Sequence, residues 1–184
     1  MRSAIFLETI SKQVEATIVE VEKLKQLDYS LLTWRENVHS WNILECLEHL
    51  NLYGHFYLPQ MALKIQESNS DAEPEFKPSI LGNYFSKSML PNAKLNKMKT
   101  FKDKNPINTK LDIGVIDVFL NQQYQLRQII QQAQKVSLNK VKIETSISSW
   151  IKLKLGDAFQ FYVNHILRHL VQIDRIKSGL LLNS

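Results

Sequence analysis

The chain has 184 residues, 44% of them hydrophobic, with a formal net charge of +5, one cysteine, 5 glycines and 5 prolines. That is enough apolar material for one domain, 1–184, to bury a core, and Cys46 alone excludes an internal disulfide and suits a reducing compartment. No apolar run approaches the ~20 residues that span a bilayer, and Glu8 interrupts the patch in "MRSAIFLETISKQ", so we expect a cytoplasmic protein with no membrane partner.

Leu, Ile, Glu, Gln and Lys fill the long segments, and these residues lose little rotamer freedom in helices. No segment shows sustained strand alternation. The first helix is expected over roughly Ser3–Leu27, with Ile5, Thr9, Val14, Ile18, Val21 and Leu24 near one side. The second opens at "HSWNILECLEHL", with Ser40 as N-cap, Trp41 in the first turn and Glu45 close behind. It continues to about Ser68, with a kink or a break expected at Pro59.

From Asn69 to Asn108 the texture changes, because Pro74, Pro78, Gly82, Pro91 and Pro106 punctuate it and only "ILGNYFSKSM" suits a short helix. A third helix is expected from Thr109 or Asp112 to Val136, on Val115, Val118, Phe119, Tyr124, Leu126, Ile129 and Ile130. The partly β-branched "NKVKIETSISSWIKL" reads as an extended passage along the bundle. The fourth helix is expected over Lys154–Ser178, with Gly179 as its stop. The expected fold is therefore all-α, a four-helix bundle with a long crossover between the second and third helices.

The positive charge is local. Between Phe85 and Lys110 stand Lys87, Lys94, Lys97, Lys99, Lys102, Lys104 and Lys110 against one acid, Asp103. The segment lacks arginine and has only Phe85 and Phe101 for stacking, so nucleic acid is not an expected partner. A solvated connector is the plain reading, and steering of an anionic small molecule the functional one.

The chemistry of interest lies in "FYVNHILRHLVQIDRI", where His165 and His169 sit ~40° apart on a helix, one turn displaced. The wheel puts Ala158, Tyr162, Ile166 and Ile173 on the same side and Asn164, Arg168 and Arg175 on the other. Both imidazoles thus belong to the inward face and can ligate one divalent ion. In the second helix His49 also faces inward, among Cys46, Leu50, Tyr53 and Phe56. His55 is rotated ~120° from His49 and falls outside the site, and His39 belongs to a loop or cap. A lone inward histidine is more often a satisfied core residue, but three clustered imidazoles without a ligand would each need a partner. Gln172 and Glu45 are the weaker catalytic candidates, for a hydrogen bond to a ligand ring or for general-base work, against plain surface roles for both. Cys46, Trp34 and Trp41 read as packing residues, and Tyr53 and Tyr162 as core or pocket wall.

Three segments, "WNILECLEHL", "KMKTFKDKNP" and "HILRHLVQIDRI", make the chain similar to the DinB-like/YfiT-like family of metal-dependent four-helix bundles, over nearly its whole length. The resemblance implies a single divalent ion, Zn, Ni or Fe among others, held by His49, His165 and His169. It also implies an enzyme acting on a small-molecule substrate. Such an enzyme would activate a low-molecular-weight thiol for S-transfer and detoxification, or a metal-bound water for hydrolysis. A homodimer is expected. The alternative is a non-enzymatic, stress-related helical bundle, also dimeric, in which metal binding is incidental.

Overall fold

Apolar side chains recur every third or fourth position through four stretches of sequence, and in the computed structural model, which describes residues 1–90 and 100–182, each stretch is a long helix. Helix α1 spans Ser3–Glu22 and continues as a 3₁₀ turn over Lys23–Gln26. A single turn, α2, spans Tyr29–Leu32. Helix α3 spans Ile43–Gln66, the short α4 Ile80–Ser88, and α5 Gly114–Ala133. Strands β1 (Lys142–Thr145) and β2 (Ser148–Lys154) form an antiparallel hairpin, and α6 runs from Leu155 to Leu182.

The four long helices share one buried cluster in which α3 packs on α5 and α6, and α1 packs on the same two. Leu50, Phe119 and Phe159 are each fully buried there, and each contributes roughly 1.5–3 kcal/mol by leaving water. The described residues are thus mostly helical, with one small sheet, and none of their helices is long and apolar enough to cross a membrane.

Helix α6 is the element the others surround. It packs on α1, α3, α4 and both strands, and between Leu155 and His169 only Gln160 and Leu167 keep partial exposure. Asn164 and Arg168, expected on the solvent side, are therefore buried, while Arg175 beyond them is exposed. A helix covered on every side has no outward face for a wheel to find. Gly179 does not stop α6, which runs on to Leu182.

Other differences are local. The N-cap of α3 is Asn42, not Ser40: its side chain accepts from Glu45 N–H at 2.8 Å and the Glu45 carboxylate accepts from Asn42 N–H at 3.0 Å. Pro59 neither ends nor divides α3. Pro59 and His55, whose carbonyl it leaves without an intrahelical donor, are both exposed, so water can satisfy that group. In α1 the buried stripe begins at Phe6, Leu7 and Ile10, while Ile5 is 54% exposed. Helix α5 starts later than expected, at Gly114, where the Asp112 carboxylate accepts from Gly114 N–H, and it ends at Ala133, short of Val136.

The extended passage is a hairpin. Ile143, Thr145 and Leu153 face inward, and the turn is tied to α3 because Tyr57 OH accepts from Ser146 N–H at 3.1 Å. Of the lysine-rich connector, Lys94, Lys97 and Lys99 lie outside the described residues, and Lys87, Lys102 and Lys110 are exposed.

Candidate metal centre

His49 is held on α3, whose N-cap and capping box lie about two turns earlier, at Asn42. His165 and His169 sit on the most buried stretch of α6, where Phe159, Tyr162 and Ile166 lock the helix in place. The contact of α3 with α6 brings the three rings together, each less than a tenth exposed. His49 Nε2 lies 3.2 Å from His165 Nε2, and His165 Nε2 lies 3.0 Å from His169 Nε2. Three nitrogens around a tetrahedral ion with bonds of 2.0–2.1 Å would stand about 3.3 Å apart. These histidines form a buried group able to hold a metal ion, with one ligand atom from each residue.

Hydrogen bonds fix which nitrogen faces inward. His49 Nδ1 lies 2.6 Å from the carbonyl of Lys104, which can only accept, so Nδ1 carries the proton and Nε2 presents its lone pair. His169 Nδ1 lies 3.0 Å from Gln172 Oε1, which fixes the same tautomer. Among the described residues, buried His165 Nδ1 has no hydrogen-bond partner. Without a cation, the His165 Nε2–H is the donor available to relieve the repulsion of the neighbouring lone pairs.

Burial also keeps the rings neutral. It pushes the His49 imidazole down to about 4, aided by the Lys104 charge and opposed by the hydrogen bond to the Lys104 carbonyl. Burial lowers His165 and His169 well below the ordinary range, and the neighbouring imidazoles add to the effect in both. Neutral imidazole is the form that ligates a metal, so these rings are ready over the whole neutral range.

Aromatic rings wall the group. Trp41 lies 4.7 Å from His49 and 5.8 Å from His169, centroid to centroid. Tyr53 lies 4.6 Å from His165, and Phe161 stacks on it at 6.2 Å. Burial raises the Tyr53 phenol to about 12, so it stays protonated. Trp41 Nε1–H donates to Asn105 Oδ1 at 3.1 Å, tying this wall to the loop that carries Lys104.

The remaining candidates have clear places. Gln172 touches His169. Glu45 is fully buried, and its carboxylate accepts from Asn42 N–H, Asn108 N–H and Arg35 rather than from a site histidine. A carboxylate so occupied is not placed as a general base. His39 and His55 are exposed, Cys46 is buried with its thiol pushed up by burial, and Tyr162 packs on Tyr57 in the core. Trp34 lies beside Gly179. A cavity of about 200 Å³ is lined by Phe6, Phe76, Ser86, Asp157, Gln160 and Asn164, and none of the three histidines lines it.

Two contributors escaped sequence reasoning. The Lys104 carbonyl is a backbone group, which no side-chain pattern announces, and Trp41, a packing residue by its sequence, borders two of the three imidazoles. Phe161, by contrast, lies one turn before His165, a spacing that would have placed it beside the ring.

Comparison with curated proteins and with solved structures gives no match. The sequence profile of the DinB superfamily matches residues 13–173, a span that contains all three histidines, the whole of α3 and α6 through Ile173, and the chain belongs to that superfamily.

Proposed function

We propose that His49, His165 and His169 bind one divalent ion, Zn, Ni or Fe, and that the protein is a metal-dependent enzyme acting on a small molecule. The observation that carries this reading is the meeting of three buried Nε2 atoms, two of them in tautomers fixed by Lys104 and Gln172. No carboxylate belongs to the group, so three neutral ligands would leave the ion its full charge and at least one open position. The ion would supply Lewis acidity, lowering the pKa of a low-molecular-weight thiol or a water brought to that position. The chain's own part is to hold the rings, keep them neutral, and exclude bulk water with Trp41, Tyr53 and Phe161.

The reading extends to the whole molecule. We take the ring of α1, α5, α3 and α6 as a four-helix bundle, residues 67–113 as its crossover, and the chain as one domain that works as a cytoplasmic homodimer. Sedimentation equilibrium checks the dimer.

Near-complete burial of all three rings, with no cavity among those described opening on them, favours a second reading: a non-enzymatic bundle that binds metal without turnover. Cobalt(II) separates the two. Addition of small thiols to the cobalt-loaded protein shifts the visible spectrum if a position is open, and the loaded protein then conjugates a thiol to a chlorodinitro-aromatic acceptor. A spectrum indifferent to every thiol, with neither conjugation nor hydrolytic activity in the loaded protein, leaves the non-enzymatic reading. Less than one ion per chain lost on His49→Ala and His169→Ala would overturn both.

A further inference from the structure

Glu45 is a fully buried carboxylate about one helical turn before His49 on α3, and its hydrogen bonds run toward the loop that serves the metal centre. Oε2 accepts from Asn42 N–H and closes the capping box of α3. Oε1 is not needed for the cap. It accepts from Asn108 N–H at 2.6 Å and from Arg35 Nη2 at 3.1 Å, while Arg35 Nη1 donates to Asn108 Oδ1 at 2.8 Å. Asn108 has φ 61°, the one positive φ at a non-glycine among the described residues, a conformation that asparagine tolerates better than most residues and that these bonds help to hold. Four residues earlier the same loop presents the Lys104 carbonyl to His49 Nδ1. Between the two clamps, Asn105 Oδ1 accepts from Trp41 Nε1 and from Ile107 N–H.

We propose that Glu45 is a positioning residue for the metal centre: by holding the loop at Asn108 it keeps the Lys104 carbonyl against His49, and so keeps the His49 Nε2 lone pair turned toward His165. The proposal rests on the reading of the three histidines as ligands, but its mechanism is a tautomer choice that exists before any ion binds. A carbonyl that drifts from Nδ1 releases the imidazole to move its proton to Nε2, the atom that must be free for a metal.

A purely structural Glu45 would cap α3 and nothing more, so the test reads the tautomer directly. Long-range ¹H–¹⁵N spectra of the metal-free protein assign the protonated nitrogen of each ring. In Glu45→Ala we expect His49 to populate the Nε2–H form, while His169, held by Gln172, keeps Nδ1–H and serves as the internal control. Zinc affinity, measured by competition with a chelator, is expected to fall about 10- to 100-fold. Glu45→Gln retains an oxygen that accepts from Asn108 and is expected to stay within about threefold of the parent. Should Glu45→Ala fail to fold, Asn108→Ala loosens the loop from its own side, leaves the capping box intact, and gives the same tautomer shift. A folded Glu45→Ala or Asn108→Ala protein with His49 still protonated at Nδ1 and unchanged zinc affinity overturns the proposal. A parent protein that binds no zinc sinks the metal reading instead, and the tautomer comparison still decides the role of Glu45.

Discussion

His49 and His165 stand 116 residues apart in the chain, yet their Nε2 atoms lie 3.2 Å from one another. Both rings are buried, and a third Nε2, from His169, lies 3.0 Å from that of His165. Such a group gains from a cation in its midst, because the ion replaces lone-pair repulsion with ligation and binds only the folded chain. Zinc at a hundred times its dissociation constant should therefore stabilise the fold by about 2.7 kcal/mol. For a chain of this size that is a rise in Tm of roughly 5–10 °C. Thermal melts with zinc and with a chelator check it, and His49→Ala should show no such rise.

Acid should act in the opposite direction. His49 titrates near 4 in the fold because burial penalises its charged form, against about 6.5 in an unfolded chain. Between those values the unfolded state binds more protons, so stability falls as pH drops from 6.5 toward 4. At neutral pH the contribution is complete, and below the folded pKa it is gone. His49 alone accounts for about 3 kcal/mol across that window, and His165 and His169 act in the same sense. Urea unfolding at pH 7.5, 5.5 and 4.5 measures the slope, which should be shallower in His49→Gln. A flat profile would mean the rings are not buried neutral.

How far such a site can be read from sequence depends on where its parts sit. The three histidines were legible because helical period converts spacing into direction: positions 165 and 169 share a face, 49 lies among apolar neighbours, and 55 does not. The same logic failed for Asn164 and Arg168, since it presumes a solvent side that α6 lacks over this stretch. The hairpin was missed because its turn at Ser146 and Ile147 carries no glycine or asparagine, and α3 supplies the restraint instead through Tyr57. Ser40 and Asn42 both suit an N-cap by residue type, and the Glu45 three residues after Asn42, the spacing of a capping box, is what favours Asn42. Only proximity in space reveals the Lys104 carbonyl, 55 residues from the ring it serves.

Gln172 offers a test of the α6 side of the site. It is half-buried, one turn beyond His169, and its side-chain oxygen is the acceptor that holds the Nδ1 proton of His169. Gln172→Leu keeps the bulk and removes the acceptor, so the fold should lose less than about 1 kcal/mol. Zinc affinity should fall about tenfold or more, as it does when the outer partner of a ligating imidazole is removed. Equal affinities for the two proteins would show that helix packing alone aims His169.

Stability, as distinct from metal affinity, should be most sensitive where α6 begins. Gly156 lies in its first turn, and a Cβ built there would stand 2.5 Å from the ring of Phe76. Phe76 is held on most sides: it is 1% exposed, packs 4.7 Å from the ring of Phe6, and its backbone N–H donates to the Met1 carbonyl, with the cavity it lines as the space beside it. Helix propensity favours alanine over glycine by about 1 kcal/mol, which sets a gain against the clash. Overpacking of a fixed aromatic ring costs about 1–3 kcal/mol, so Gly156→Ala should be destabilising on balance. The histidines lie more than two turns further along α6, beyond the reach of this local shift, so zinc affinity in the folded variant should match the parent. Denaturant melts and zinc titrations on the same preparations separate the two effects. A more stable Gly156→Ala protein would show that the Phe76 ring shifts into the cavity it lines.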